Sequence, residues 1–413
     1  MKPSFFTRNT CRLCDSGELL PGLALQSTPI GDDYIAADRL GAPTELFNLD
    51  LYLCSKCGQV QLRDVVSPEL LYASFPYVTS VSVGLPEHFR RFAEAVMRKH
   101  EIAQESLVVE IGSNEGPMLR AFQERGCRVL GVEPATAIAQ AASKAGVPTM
   151  AKYFTPQVAG EIVQAHGRAT VIAANNVLAN IDDLSDVARG VNVLLSPDGI
   201  LVMETSYWGD VVKNGLIDTI YHEHLSYFSV CPLKAFFSRH GLELIDVEWN
   251  SNKGGSIRLT VQRAGGPRRV NSSVAEQMAL ERREGIHGRN ALEACRRRLD
   301  SLTREIQEMA GSFKKPGRSI AGYGASVGTT TMIYEFRLGS VLDYLLDDNP
   351  RKHGKHSPGF HIPCVPSSQL EERKPDGVVV FAWRYFDQIR KKHPGFEKAG
   401  GRFVIPLPEL KII

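Results

Sequence analysis

From residue 107 onward, short unbroken apolar runs alternate with stretches whose apolar residues recur every three or four positions. The runs at 107–111, 128–133, 169–175 and 199–204 read as strands, and the patterns at 86–99, 118–125 and 138–144 as helices. Continuous β-branched runs separated by helices predict parallel strands covered on both faces. Segments 242–247 and 256–262 read as an antiparallel edge to the same sheet. Residues 263–275 break the pattern, and a helical stretch follows over 275–312, with Leu292, Cys295, Leu299, Leu302 and Ile306 on one face. Beyond Gly317 a second α/β pattern begins, with strands expected at 319–323, 342–347, 378–383 and 403–406.

Length and charge narrow the classes. A chain of 413 residues, 43% of them hydrophobic, is too long for one compact core. Lys and Arg number 48 against 46 Asp and Glu, a balance that gives no case for nucleic-acid binding through phosphates. The basic run Arg296-Arg297-Arg298 is interleaved with Glu284, Glu293, Asp300 and Glu305 and reads as a solvated helix face. No apolar run is long enough to cross a membrane. Lys2 and Arg8 have no apolar region behind them, so no signal peptide is read and a cytoplasmic location is expected.

Four cysteines stand alone, Cys127, Cys231, Cys295 and Cys364, and read as buried thiols. The other four form two pairs, Cys11-x-x-Cys14 and Cys54-x-x-Cys57. Two such bends supply the four thiolates of a tetrahedral Zn²⁺ site. A full set of sulfur ligands leaves no open position, so the expected metal is structural; disulfides are the competing reading, disfavoured in a reducing compartment.

Two glycine-rich loops follow strands and open helices. In the first, Glu110-Ile-Gly112-Ser-Asn114-Glu-Gly116, the spacing is GxxxG, not the dinucleotide GxGxxG. Glu133 ends the next strand, where a carboxylate can accept hydrogen bonds from both hydroxyls of an adenosine ribose. The second, Gly322-Tyr323-Gly324-Ala-Ser326-Val-Gly328-Thr329, approximates a dinucleotide fingerprint with one extra residue, and Asp347-Asp348 end the following strand. It suits NAD, or the diphosphate of a nucleotide sugar held by amides and the hydroxyls of Ser326 and Thr329; simple packing is the third possibility.

The densest titratable segment is Tyr221-His222-Glu223-His224-Leu-Ser-Tyr-Phe228. An imidazole works as a base near neutral pH, and Glu223 could orient one. His224 is the expected base, and His222 reads as structural. No accompanying ligand set supports metal binding at this HxH pair.

The order CxxC…CxxC, EIGSNEG, YHEHLSYFS, Gly254-Gly255-Ser256-Ile257-Arg258 and GYGAS resembles one family throughout: zinc-containing, S-adenosylmethionine-dependent sugar C-methyltransferases acting on nucleotide-linked 4-keto sugars. The resemblance spans essentially the whole chain. It implies an α/β fold with a zinc-binding domain at 1–70, a class I (Rossmann-like) methyltransferase domain at 71–265, a helical linker at 266–315 and a C-terminal Rossmann-like half domain at 316–413. It also implies S-adenosylmethionine and structural Zn²⁺ as cofactors and a nucleotide sugar as partner. By the same resemblance His224 is the base, accompanied by Tyr221, His222 and Glu223. Tyr77, Glu110, Gly112, Asn114, Gly116, Glu133, Asn175 and Asn176 hold the methyl donor. Asn180, Lys253, Ser256, Arg258, Tyr323, Ser326 and Arg384 line the acceptor groove. The chain departs from the family at four positions. Asn180 and Lys253 stand where His is common, Val327-Gly328 where a Lys often follows the loop, and Arg384 where Asn is usual. These departures keep open a changed sugar or nucleotide and O-methylation; an NAD-dependent oxidoreductase and a non-enzymatic binding protein are the readings from other classes.

Overall fold

A computed structural model describes residues 3–71, 84–313 and 317–413. Its central sheet has seven strands, ordered Leu242–Asn250, Ser256–Arg263, Leu195–Ser206, Ala169–Asn175, Leu107–Ile111, Arg128–Val132 and Thr149–Met150. The five strands from Leu195–Ser206 onward are parallel; the other two form an antiparallel edge. All five residues of Leu107–Ile111 are buried, as a strand sandwiched between helices requires. Helix Leu85–His100 covers one face with Phe89, Phe92, Ala93 and Val96, and Pro86 begins it where the missing amide costs nothing. Chain order reverses between Leu107–Ile111 and Ala169–Asn175. At such a switch point the carboxyl ends of neighbouring strands open a crevice for ligands.

The C-terminal sheet has six strands, ordered Cys364–Pro366, Tyr344–Asp347, Ile320–Tyr323, Gly377–Val380, Arg402–Ile405 and Lys411–Ile412, with only the last pair antiparallel. Two helices join the large sheets. The sequence reads 275–312 as one helical stretch, but the chain breaks at Gly285, whose φ of +63° ends Ser272–Glu284 in a left-handed cap. The second helix, Arg289–Phe313, buries Leu292, Cys295, Leu299, Leu302 and Ile306 on the expected face. Arg296 in its basic run is paired with Asp300 at 2.9 Å and Glu335 at 2.6 Å. No helix among the described residues is long and apolar enough to cross a membrane.

The N-terminal sheet is the unexpected element. Leu19–Leu23, Leu51–Cys54 and Val60–Leu62 form three antiparallel strands, and the fourth is Ser226–Tyr227, from the segment just after His224. Ser226 pairs with Gln61 and Tyr227 with Val60. The cysteine-bearing part and the acid–base segment therefore share one sheet.

Candidate active site

The four paired cysteines converge. Their Sγ atoms all lie within 4.8 Å of one another, with Cys11–Cys57 and Cys14–Cys54 each at 3.5 Å. These are separations of free thiols, and all eight cysteines are free. Zn–S bonds of about 2.3 Å in a tetrahedron need sulfurs slightly under 4 Å apart, so the set fits Zn²⁺ with small adjustments. Of the solitary cysteines, Cys127, Cys295 and Cys364 are buried, while Cys231 is only half-buried. It sits beside Glu281 and His287, where the fully buried Glu281 carboxylate accepts from the amides of Val230 (2.6 Å) and Cys231 (2.8 Å). That carboxylate caps the orphan amides of helix Val230–Arg239.

At the switch point, Gly112 and Gly116 take φ of +67° and +75°, and Asn114 takes +50°. A Cβ on Gly112 would stand 2.5 Å from Val177, so the turn admits only glycine there. Glu133 is 8% exposed and accepts from the amides of Asn114 at 3.0 Å and Ala135 at 2.9 Å. Burial raises its pKa despite these bonds. Behind it Glu110 is buried, with Oε2 unpartnered among the described residues; burial and the nearby Glu133 push its pKa well up. Asn175 ends the neighbouring strand and Asn176 follows it, the Asn176 amide donating to the Asn175 side-chain oxygen. The chemistry of this set suits S-adenosylmethionine: a carboxylate able to accept from ribose hydroxyls and a turn with glycine at both ends. Tyr77 lies outside the described residues.

His224 has a defined tautomer. Its Nδ1 lies 2.8 Å from the Thr219 carbonyl, which can only accept, so Nδ1 carries the proton and Nε2 the lone pair. The Tyr221 hydroxyl donates to Nε2 at 2.8 Å, with the two rings 4.0 Å apart. Burial, and then the charge of Lys253, push the His224 pKa down to about 3, so the ring is neutral at ordinary pH. The sequence offers Glu223 as a group that could orient a histidine; in the structure the Thr219 carbonyl orients His224, and no Glu223–histidine bond occurs among the described residues. Glu223 Oε2 is buried without a partner among those residues, and burial raises the carboxyl pKa to about 7. His222 faces the N-terminal part, packed edge-on against the Phe47 ring at 5.6 Å. Burial lowers its pKa to about 4.

The acceptor residues named from the sequence divide into two groups. Asn180 lies beside the His224 segment, since Leu225 N donates to the Ala179 carbonyl at 2.8 Å, and Asn180 Oδ1 is buried and unpartnered among the described residues. Lys253 has φ of +51°; the residue as a whole is exposed, yet desolvation around its ammonium and the charge of Arg384 lower its pKa to about 8. Arg384 forks onto Asp218, whose carboxylate also accepts from Trp383 Nε1 at 3.1 Å. Asp218 immediately precedes Thr219, the residue that orients His224. Gly328 packs on the same turn: a Cβ there would lie 2.2 Å from the Asp218 carbonyl oxygen.

The remaining named groups are engaged elsewhere. Ser256 donates to the Asn252 carbonyl at 3.0 Å, and Arg258 is held by Glu204 at 2.9 Å and stacks over Phe92. Tyr323 joins a separate core with Phe386, Phe396 and Phe403, its hydroxyl 3.3 Å from His393. Ser326 is exposed at the helix start, whereas Thr329 is fully buried and closes a capping box with it. The Thr329 hydroxyl donates to the Gly324 carbonyl at 3.0 Å, so it holds the loop. Asp347 accepts from Ala325 N at 2.6 Å and likewise serves the loop.

Sequence reasoning passed over several groups. His88 meets Glu204 at 2.6 Å, and Asn252 reaches the same imidazole at 2.8 Å. Asp32 pairs with Lys352 at 2.5 Å beside a cavity of about 160 Å³ that Tyr34, Arg39 and Lys355 also line. Asp32 adds to the electrostatic pressure on Glu223. The Lys352 ammonium also bonds the Ala325 carbonyl, so the cavity adjoins the second glycine loop.

Three family models match in series: a zinc binding domain over 11–72, a methyltransferase domain over 87–247 and a C-methyltransferase C-terminal domain over 251–408. The chain is 33% identical to C-methyltransferase NovU of Streptomyces niveus over 404 residues, 98% of this chain and 96% of that protein. Among solved structures, the PH0226 protein of Pyrococcus horikoshii OT3 aligns with 48% of this chain and 100% of its own, at 13% identity and a TM-score of 0.37. Magnesium protoporphyrin IX methyltransferase of Synechocystis PCC 6803 aligns with 44% of this chain and 84% of its own, at 12% identity and a TM-score of 0.35. Scores of that size carry no functional argument. With a curated relative matching it from end to end, and with the cysteine cluster, methyltransferase sheet and C-terminal half in the same series, the chain belongs to the zinc-binding, S-adenosylmethionine-dependent C-methyltransferases.

Proposed function

We propose that the enzyme methylates a carbon next to the ketone of a nucleotide-linked keto-deoxysugar, with His224 removing the proton from that carbon. The observation that carries this reading is the locked imidazole. Thr219 holds Nδ1–H, so the lone pair on Nε2 faces the Tyr221 hydroxyl, while Glu223 in the same segment and Asn180 in the loop bonded to it each bury a polar atom without a partner among the described residues. Buried polar atoms without partners are costly, and a hydroxylated ligand would satisfy them. S-adenosylmethionine, when bound, supplies an electrophilic methyl on a sulfonium sulfur. Glu133 and the Gly112–Gly116 turn would hold its adenosine and methionine ends.

For its own part, the chain positions the acceptor and moves one proton. The C–H bond breaks, its proton passes to Nε2, and the electron pair moves onto the ketone oxygen as an enolate. Tyr221 is displaced from Nε2 in that step, and its hydroxyl is then free to donate to the developing oxyanion. The enolate carbon is left to take the methyl, a displacement that depends on alignment. The nucleotide end is assigned to the cavity between Asp32 and Lys355, against the second glycine loop, where Arg39 and Lys355 supply cationic groups for a diphosphate.

Glu223 supports a second reading, in which it is the base, because burial raises its carboxyl to about 7 and its Oε2 has no partner among the described residues. One experiment separates the two. His224→Asn should bind S-adenosylhomocysteine normally, lose about a hundred- to ten-thousandfold in turnover, and stop solvent deuterium exchange into a nucleoside-diphosphate 4-keto-6-deoxysugar. Near-wild-type turnover and exchange would remove His224 as base. If Glu223 is the base instead, kcat/KM falls as pH drops through about 7, and Glu223→Gln abolishes both that limb and the exchange.

A further inference from the structure

Arg12 lies inside the first CxxC bend, and its side chain is fully buried. A guanidinium kept out of water needs acceptors for its donors. Here Nε donates to Asp182 at 2.9 Å, NH1 donates to the Leu225 carbonyl at 3.1 Å and to the Leu62 carbonyl, and NH2 is buried without a partner among the described residues. Asp182 is also held by Arg8 at 2.9 Å. These acceptors belong to three separate stretches: the loop carrying Asn180, the residue after His224, and the strand after the second CxxC. Leu225 in turn donates from its amide to Ala179, next to Asn180.

We infer that Arg12 is a positioning residue through which the metal-bound knuckle sets the place of His224 and Asn180. The inference rests on His224 acting as the base. A folded CxxC bend fixes the Cα of Arg12, and the planar fork fixes the distance between the Leu225 carbonyl and the Asp182 carboxylate. Without the fork, the Ser226–Tyr227 strand still pairs with Val60–Leu62 and the Leu225 amide still holds the Ala179 carbonyl, but the Leu225 carbonyl loses its link to the Asp182 carboxylate, and one backbone bond is left to set the angle between strand and loop. A displacement near 1 Å in a base is enough to cost about a hundredfold in rate.

The test uses the full-length, zinc-loaded protein and the 4-keto-6-deoxysugar nucleotide named above. Arg12→Gln and Arg12→Lys should keep about one zinc per chain and wild-type affinity for S-adenosylhomocysteine, since Glu133 is untouched. Their kcat should fall roughly ten- to a hundredfold with little change in KM, Lys recovering part because it keeps the charge but cannot fork. In a His224→Asn background, Arg12→Lys should cause little further loss, because the group it positions is gone. Wild-type kcat in Arg12→Gln, or an undiminished loss in the His224→Asn background, would overturn the inference. Should Arg12→Gln fail to fold, Asp182→Asn and Arg12→Lys carry the test: each should lower kcat, and together they should be non-additive. Normal turnover in both overturns it. A fully active His224→Asn enzyme would instead sink the base assignment, an outcome distinct from an impaired His224→Asn with unaffected Arg12 variants.

Discussion

Replacing Glu133 by Ala perturbs the loop at the switch point and, on the proposed reading, the methyl-donor site. The carboxylate accepts from Asn114 N and Ala135 N, and its loss strands two part-buried amides. At about 1 kcal/mol each, folding stability should fall by roughly 2 kcal/mol. For a chain this long the melting temperature should drop by about 4 °C or less. If Glu133 also holds the ribose, a charge-assisted pair worth about 1.5–3 kcal/mol disappears, and S-adenosylhomocysteine should bind roughly ten- to a hundredfold more weakly by titration calorimetry. The pH dependence gives an independent check. Burial raises the folded-state pKa of Glu133, so as pH falls the carboxylate is neutralised before an ordinary glutamate would be. Wild-type affinity should therefore weaken on mild acidification, and Glu133→Ala should lose that dependence. Linkage runs the other way for folding: a raised carboxyl pKa favours the native state at low pH and costs stability as pH rises through it, so weaker acid binding is not acid unfolding. Unchanged affinity in Glu133→Ala would refute the assignment.

Metal analysis of untagged protein should give about one zinc per chain, and Cys54→Ser should lose it and aggregate or unfold, because the knuckle anchors a shared sheet; a soluble Cys11/Cys14 double mutant that keeps a full zinc would exclude this ligand set. Gly328→Ala drives a Cβ to within 2.2 Å of the Asp218 carbonyl, a backbone atom with little room to yield. It should cost about 1–3 kcal/mol in thermal or chemical denaturation and lower kcat through the neighbouring Thr219 carbonyl; wild-type stability would show that the helix shifts freely.

What the sequence disclosed follows physical rules with short range. Strands Leu107–Ile111 and Ala169–Asn175 match the expected bounds because nearly every residue is buried, leaving an unbroken apolar run. The strand expected at 199–204 begins earlier, at Leu195, through Ser196, Pro197 and Asp198, whose polarity hides its start. Trp383, expected at a strand end, opens a 3-10 turn instead, its indole N–H turned to Asp218. Motifs written in consecutive residues, such as the cysteine pairs and the YHEH segment, were equally legible. Partners far apart in the chain were not. His88 and Glu204 are 116 residues apart, Arg384 and Asp218 166, and Arg12 and Asp182 170. No periodicity encodes which carboxylate a given cation will meet. Thr329 shows the converse: its hydroxyl reads as a ligand group until the buried cap claims it.

The pairing of Ser226–Tyr227 with Val60–Leu62 has a consequence for how the protein is made. During synthesis the knuckle emerges complete by Cys57, so metal capture can come early. Its sheet cannot close until a strand more than 160 residues later has left the ribosome and reached it. Contacts of such separation close slowly, since a long loop must be ordered before they form. In the interval Val60–Leu62 is a bare, apolar edge, the kind of surface that pairs with other chains. A fragment cut before residue 226 would keep that edge permanently. The zinc-bearing part is thus a poor candidate for excision as a free-standing module, and expression yield should depend on how quickly the methyltransferase sheet folds behind it.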